Sequence, residues 1–379
     1  MSRARDIADL SSVSARLDTL GASSGALSNR NIVINGAMQV AQRGASATGK
    51  TSAGYYTVDR FKADIGSAGT WTFAQSSTAP EGFAYSLKLD CTATQTSLSG
   101  DKYLLIQQRI EGQNLQHLKF GTSNALPITL SFYVKSNKTG TYHLNFYNTD
   151  NARQNGRTYT IDAANTWEQK TISLDADTAQ GFTNDNNDSL MLEWWLVAGS
   201  NYTSGSVPTA WQAHNNVDRA AGQSVNLADS TSTSATWQIT GVQLEVGDTA
   251  TPFEHKTFNQ EFQACQRYFA RSYAYGTATG ANDSKGMRQT DYLENNQGSG
   301  YRERYDFKFP VQLRASPTIT TYDTAGNSGK GNYYIGASAG NTNKTVSVGS
   351  VNATSFGGYS DRATTIGGWA IHYTADAEL

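Results

Sequence analysis

The chain has 379 residues, 38% of them hydrophobic and 11% aromatic, enough to build a sizeable core and too apolar for a disordered segment. Charged residues make up 16% and nearly balance, leaving a formal net charge of -2. That excludes the clustered basic excess that nucleic acid requires, and it offers no polybasic face to an anionic membrane. With 20 Tyr, 7 Trp and 35 Gly against 6 Pro, and Ser, Thr and Asn throughout, the composition suits short aromatic and β-branched strands joined by Gly-rich turns.

Met1–Leu20 lacks the apolar core of a signal peptide, and no run is apolar and long enough to span a bilayer, so a soluble protein is expected. In this first segment Leu10, Val13, Leu17 and Leu20 are spaced 3, 4 and 3, which predicts a short helix ended by Gly21. Too short to be stable alone, it packs either on copies of itself or a partner, or on its own domain.

From Asn31 to about Phe253 the hydrophobic period is two. In Pro127–Lys135, Ile128, Leu130, Phe132 and Val134 alternate with Thr129, Ser131 and Tyr133. In Thr141–Tyr147, Tyr142, Leu144 and Phe146 alternate with His143, Asn145 and Tyr147. Further strands are predicted at Trp71–Gln75, Tyr85–Leu89, Tyr103–Ile110, Thr158–Ile161, Glu168–Leu174 and Leu190–Val197, the pattern of a β-sandwich. The run Ala235–Val246 changes phase between Ile239 and Val242, which places a β-bulge at Thr240-Gly241. Phe258, Phe262 and Cys265 then mark a short connecting helix over Thr257–Gln266. Strands return at Arg267–Tyr273, Tyr301–Phe309, Thr318–Tyr322, Thr345–Val348 and Ile366–Tyr373. The expected fold is all-β: a β-sandwich over 30–256 and a smaller β domain with its connecting helix over 257–379, preceded by a helix and linker over 1–29.

Several chemistries are weighed and set aside. Gly44–Thr51 satisfies G-x-x-x-x-G-K-[ST], but β-prone residues broken by Gly54 follow it where a phosphate-binding loop needs a helix. Cys91 and Cys265 form no zinc or redox motif and read as buried thiols. None of the five His stands in a nucleophile motif. Asp185–Asp188 reads first as a polar turn and second as a calcium loop without EF-hand spacing. No catalytic residue or cofactor is assigned; a structural calcium held by loop oxygens stays open, with no ligands named.

The strand faces point to binding. In Leu190–Val197, Leu190, Leu192, Trp194 and Leu196 form an apolar face, whereas Met191, Glu193, Trp195 and Val197 form a mixed one. Trp195 is therefore expected to be exposed, unless a loop or a second subunit covers it. Glu193 shares its face, and Tyr133, Tyr147, His143, Asn145 and Arg109 occupy other polar strand faces. An aromatic plate with amides and a carboxylate beside it suits the C–H face and hydroxyls of a sugar.

Several stretches resemble phage and prophage tail-fibre or tail-appendage proteins of the marine-phage type. They are Met1–Leu10, NRNIVINGAMQVAQRG (Asn29–Gly44), YYTVDRF (Tyr55–Phe61), GVQLEVGDTATPFEHKTFNQEFQACQRYF (Gly241–Phe269), LRASPTI (Leu313–Ile319) and YTADAEL (Tyr373–Leu379). The resemblance implies a jelly-roll domain like a carbohydrate-binding module, a variable C-terminal β domain and a virion location after assembly in the host cytoplasm. It implies assembly in the virion, commonly as a homotrimer, but carries over no receptor. The apolar seam of the N-terminal helix suits attachment to other tail proteins or trimerisation, and the polar, aromatic strand faces lead to the expectation of a host surface glycan or other receptor as partner. The rivals are a spacer fibre with no receptor and a glycan depolymerase, although the repeat of a long β-helix is missing.

Overall fold

The computed structural model describes residues 29–95, 97–229, 234–290, 302–335, 338–361 and 368–379. The predicted N-terminal helix therefore lies outside the described residues. Among the described residues no helix is long and apolar enough to cross a membrane. The described residues divide into two compact units, one taking in those up to Gln39 with Ala47–Tyr55 and Phe61–Lys256, the other Val40–Ser46, Tyr56–Arg60 and Thr257–Leu379.

The first unit contains β1 (Ser46–Lys50), β2 (Gly54–Tyr55), β3 (Lys62–Gly66), β4 (Thr70–Ser76), β5 (Ser86–Ala93), β6 (Tyr103–Glu111) and β7 (Ile128–Ser136). β8 (Gly140–Asn148), β9 (Arg153–Ile161), β10 (Glu168–Leu174), β11 (Asp188–Ala198), β12 (Gln212–Ala213) and β13 (Thr236–Val246) follow, with a one-turn helix α1 (Ser200–Thr203). They form a six-stranded sheet, β1-β4-β5-β13-β7-β10, and a seven-stranded sheet, β12-β9-β8-β11-β6-β3-β2. Pairing is antiparallel. The alternation seen in sequence explains the sandwich: Ile128, Leu130, Phe132 and Val134 on one sheet, and Leu144, Phe146, Leu190, Leu192 and Trp194 on the other, are all buried. Phe132 joins the layers, its ring edge-on to Trp194 at 5.9 Å and to Tyr159 at 5.3 Å. This is the jelly-roll sandwich.

The bulge falls where the phase change puts it. The β13–β7 register shifts between Thr240 and Gln243, and Gly241 has φ +62°. Trp237 and Ile239 before it, and Val242 and Leu244 after it, all become buried. A Cβ on Gly241 would meet Phe83 Cζ at 2.8 Å and Tyr133 Cδ2 at 3.0 Å, so both the dihedral and the space demand glycine. The NIVING stretch clamps the same strand: Asn31 Nδ2 donates to the Val242 carbonyl (3.0 Å), and Asn31 Oδ1 accepts from Leu244 N–H (3.1 Å).

In the second unit, α2 (Phe258–Gln266) begins at a capping box in which Thr257 and Gln260 satisfy each other's backbone N–H groups. β14 (Phe269–Arg271), β15 (Arg288–Gln289), β16 (Arg302–Lys308), β17 (Thr318–Tyr322) and β18 (Lys330–Ile335) follow. β19 (Ser338–Thr345), β20 (Ser347–Gly349), β21 (Ser355–Asp361) and β22 (Gly368–Asp376) complete the set. β22 pairs with β14, β15, β17 and β18, while β16, β21 and β20 form a separate three-stranded sheet. Phe307, Phe309, Phe356, Trp369, Ile371 and Tyr373 supply the core.

Residues from four of the family-like stretches meet in this unit. Arg43 pairs with Asp376 (3.1 Å) and Glu378 (3.3 Å), and Arg60 pairs with Glu378. The Arg60 guanidinium lies over the Tyr268 ring at 3.4 Å, and that of Arg43 over Phe269 at 3.7 Å. Gln42 donates to both oxygens of Asp59, and from its side chain to the Phe269 carbonyl. Burial, against the opposing pull of Arg43, raises the Asp59 carboxyl to about 6. These motif residues are thus framework of the second unit.

The phosphate-loop match is also framework. Its Ser46–Lys50 is the strand β1 on a sheet edge, and the next element is β2 rather than a helix. Cys91 and Cys265 are buried free thiols.

Candidate functional site: the polar face of the seven-stranded sheet

Register aligns the polar residues of β9, β8, β11, β6 and β3 into cross-strand rows on the face turned away from the core. One row runs Thr158, His143, Trp195, Leu105, Asp64. The next runs Gly156, Asn145, Glu193, Gln107, Lys62, and the third Gln154, Tyr147, Met191, Arg109. Trp195, Glu193, His143, Asn145, Tyr147 and Arg109 therefore share one face, on three neighbouring strands. Tyr133 does not join them. It lies on β7 in the other sheet, packed against Phe83 at 5.5 Å.

Of the two alternatives for Trp195, exposed or covered, the exposed one is corrected and the covering loop is what the structure has: Trp195 and Glu193 are both 0% exposed. The segment 199–229 crosses the face and covers it. Ala220 packs with Trp195 and Leu105, flanked by Tyr202 and Tyr103. The Trp195 ring lies 5.1 Å from Tyr202 and 6.1 Å from Tyr103. Opposite faces for Trp194 and Trp195 are what the strand geometry produces; the second face is closed by the chain itself.

Charge fastens the cover. Arg219 forms an ion pair with Glu193, its Nε 3.3 Å from Oε2, and its guanidinium lies 5.0 Å from the Trp195 ring centroid. Asn145 Nδ2 donates to the same carboxylate (3.0 Å). Burial pulls the Arg219 guanidinium down, Glu193 more than offsets it, and the net direction is up. His143 Nδ1 lies 2.7 Å from the Ala221 carbonyl, and burial depresses its imidazole to about 4, so it is neutral near pH 7. Gly156 makes room for that ring, since a Cβ there would sit 2.6 Å from His143 Nε2.

The cover thins over the third row, where Gln154 is still buried and donates from Nε2 to the Asn215 carbonyl (3.2 Å). Tyr147, Met191 and Arg109 stay half-buried, as does His214, whose ring lies 4.7 Å from that of Tyr147. Arg109 is held by Asp188 (Nη1 to Oδ2, 3.1 Å) and Gln107 (Nε to Oε1, 2.6 Å). The open strip thus presents a phenol, a thioether, an imidazole and a guanidinium. Arg219, Tyr202 and His214 escaped sequence reasoning because they sit in a non-periodic loop. The clue available was that a buried Glu193 requires a cation.

Among the described residues no group of three or more His, Cys, Asp and Glu is placed to hold a metal ion. Asp185 instead accepts from the N–H (2.9 Å) and Nδ2 (2.7 Å) of Asn187, closing a polar turn.

No protein-family model matches the chain, and no curated protein matches it. Solved structures do. The enzymatically active domain of tailspike protein 4 of bacteriophage CBA120 matches 57% of this chain at TM-score 0.31 and 12% identity. The match spans only 21% of the tailspike chain. The family 11 carbohydrate-binding module of the Clostridium thermocellum cellulase Lic26A-Cel5E is matched over 99% of its length and 54% of this chain, at TM-score 0.27 and 11% identity. The family 30 module of Cel9D-Cel44B from the same organism is matched over 95% of its length and 55% of this chain, at TM-score 0.26 and 10% identity. At TM-scores this low the similarity assigns neither ligand nor activity.

Proposed function

We propose that the protein is a non-enzymatic adhesion subunit of a phage tail fibre or appendage, and that it binds surface glycan through the open row Arg109–Met191–Tyr147 with His214. The observation that carries this is the graded cover of the polar face: the middle of two rows (His143, Trp195 and Leu105; Asn145, Glu193 and Gln107) is sealed, whereas Tyr147, Met191 and Arg109 of the third are only half-buried. A saccharide ring stacks on such a phenol and hydrogen-bonds to the groups around it. The tail-fibre assignment, virion location and homotrimer rest on the family-like stretches of the sequence. Weak sites on three copies gain strength through avidity.

The non-enzymatic reading is supported by the state of the carboxylates. Glycoside hydrolysis needs one free acid and one free base or nucleophile facing the same bond. On this face Glu193 is tied to Arg219, Asp188 to Arg109, and Asp64 accepts from Tyr103 (3.2 Å).

Affinity electrophoresis through gels containing bacterial surface polysaccharides tests the reading. Retardation of the wild-type protein is expected, and its loss in Tyr147→Ala at unchanged melting temperature. No retardation in any gel, or equal retardation of Tyr147→Ala, overturns the site. Reducing sugar released from the gel polysaccharide would turn the assignment to a depolymerase. Light scattering at about 120 kDa, three copies of the 40.9 kDa chain, is expected for the trimer.

A further inference from the structure

A groove of about 420 Å³ lies in the loops of the first unit, lined by Leu115, Gln116, Lys119, Phe120, Thr122, Asn124 and Phe182. None of these residues belongs to the polar sheet face. Phe120 and Phe182 stack at 5.1 Å with ring planes 22° apart, and Trp211 meets Phe120 edge-on at 5.6 Å. Phe120 is buried and Phe182 half-buried, so Phe182 offers its ring to the groove with a rigid support behind it. Gln116, Lys119, Thr122 and Asn124 are exposed polar residues around it.

Two loops are locked to hold this arrangement. Gly121 N–H donates to the Asp177 carbonyl (2.8 Å), and Gln116 Nε2 donates to the Phe182 carbonyl (3.1 Å). A Cβ on Gly121 would lie 2.6 Å from Gly181 N, and one on Gly181 would lie 2.7 Å from the Phe120 carbonyl oxygen. Backbone therefore meets backbone with no side chain between. Lys119 takes the left-handed conformation, φ +56°, as the cap that ends the 3-10 turn Gln116–Leu118, its N–H donating to the Gln116 carbonyl. Asp177, the nearby acid, is taken by Arg153 (2.6 Å), and among the described residues no ion pair neutralises Lys119.

We propose that this groove is a second saccharide site and that its ligand is an acidic sugar, a uronate unit whose ring stacks on Phe182 and whose carboxylate meets the Lys119 ammonium. The proposal rests on the glycan-binding reading above but uses different residues. The Gln116 amide N–H groups and the Thr122 hydroxyl are already spent on backbone carbonyls. That leaves an aromatic plate, the Asn124 amide, the Gln116 Oε1 acceptor for a sugar hydroxyl and the Lys119 ammonium, a set in which the cation distinguishes a uronate from a neutral hexose. The pre-set loops reduce the ordering cost of binding.

Isothermal titration of the full chain with oligogalacturonate and with alginate oligomers, beside a neutral galactose oligomer of equal length, tests this. Wild-type protein is expected to bind at least one acidic oligomer about tenfold more tightly than the neutral one, the size of a charge-assisted hydrogen bond. Lys119→Gln, checked for an unchanged melting temperature, should erase that preference, and Phe182→Ala should weaken both classes. Tyr147→Ala should leave the acidic oligomer bound. No binding of either acidic oligomer at millimolar concentration overturns the proposal, as does an undiminished preference in Lys119→Gln. Loss of acidic-oligomer binding in Tyr147→Ala moves the ligand to the sheet face, which overturns the groove while keeping the glycan reading.

Discussion

Each unit of the chain buries a charged network, and the two are built differently. In the sandwich, Glu193 and Arg219 are 26 residues apart, joined by the loop that one of them holds down, and Arg219 is 20% exposed. In the second unit, Arg43 and Arg60 reach Glu378 across 335 and 318 residues, and Arg60 is 1% exposed. The first network fastens a local cover over a strand face. The second closes an entire unit, so its loss is expected to be felt more widely.

That contrast can be broken by substitution. Arg60→Met leaves Glu378 with Arg43 as its remaining cation in a dry site and removes the cation–π contact with Tyr268, so a loss of about 3 kcal/mol is expected in denaturant titration. Arg219→Met should cost less, about 2 kcal/mol, because water reaches the partly exposed position Arg219 vacates. Arg219→Met combined with Glu193→Gln should recover most of that loss. A double variant as unstable as the single one would show that Arg219 acts through packing instead.

Acidity separates the networks further. Asp59 in the folded chain is raised to about 6, so the stability its proton contributes is present near pH 4 and is lost as pH rises through 6. His143 is lowered to about 4, so its contribution is present above pH 6.5 and is lost as pH falls toward 4. Between these limits the two slopes have opposite sign. Thermal melts from pH 4 to 7 should therefore show Asp59→Asn losing a decline with rising pH, and His143→Gln losing a rise. Equal pH profiles for both variants and the wild type would remove these groups from the account.

Smaller effects test the framework that carries each network. Gly241→Ala forces a left-handed alanine against Phe83 and Tyr133, with an expected cost of about 1–2 kcal/mol to the sandwich. Thr257→Ala removes the cap of α2 and should cost about 1 kcal/mol. Both are read from denaturation midpoints.

How far these features were legible depends on distance along the chain. β10 has the limits expected for it, Glu168–Leu174, and β7, β8 and β11 extend only slightly beyond theirs, because one buried face writes a period of two into each. The bulge was legible for the same reason, as a change of phase. β1, β3, β19 and β21 were not: SATGK, KADIG, SAGNTNKT and SFGGYSD carry small and polar residues whose pairing comes from neighbours far along the chain. Trp195 shows the limit most clearly. Its own strand fixes which way it points, but whether water meets it there is decided by Tyr202, Arg219 and Ala220. Tyr133 likewise pointed outward as its period required, on a sheet that sequence could not assign.

The early capture of Val40–Ser46 and Tyr56–Arg60 by the second unit has a consequence for biogenesis. Arg43 emerges from the ribosome 333 residues before Asp376. At translation rates of about 5–20 residues per second it waits roughly 20–70 s for that partner. For that interval Arg43 and Arg60 await their C-terminal partners while the strands of the sandwich are already available to fold. A nascent chain stalled short of Asp376 therefore lacks the C-terminal carboxylates that pair with Arg43 and Arg60 and has an unfinished unit, which makes arrested or truncated products natural targets for chaperones and proteases.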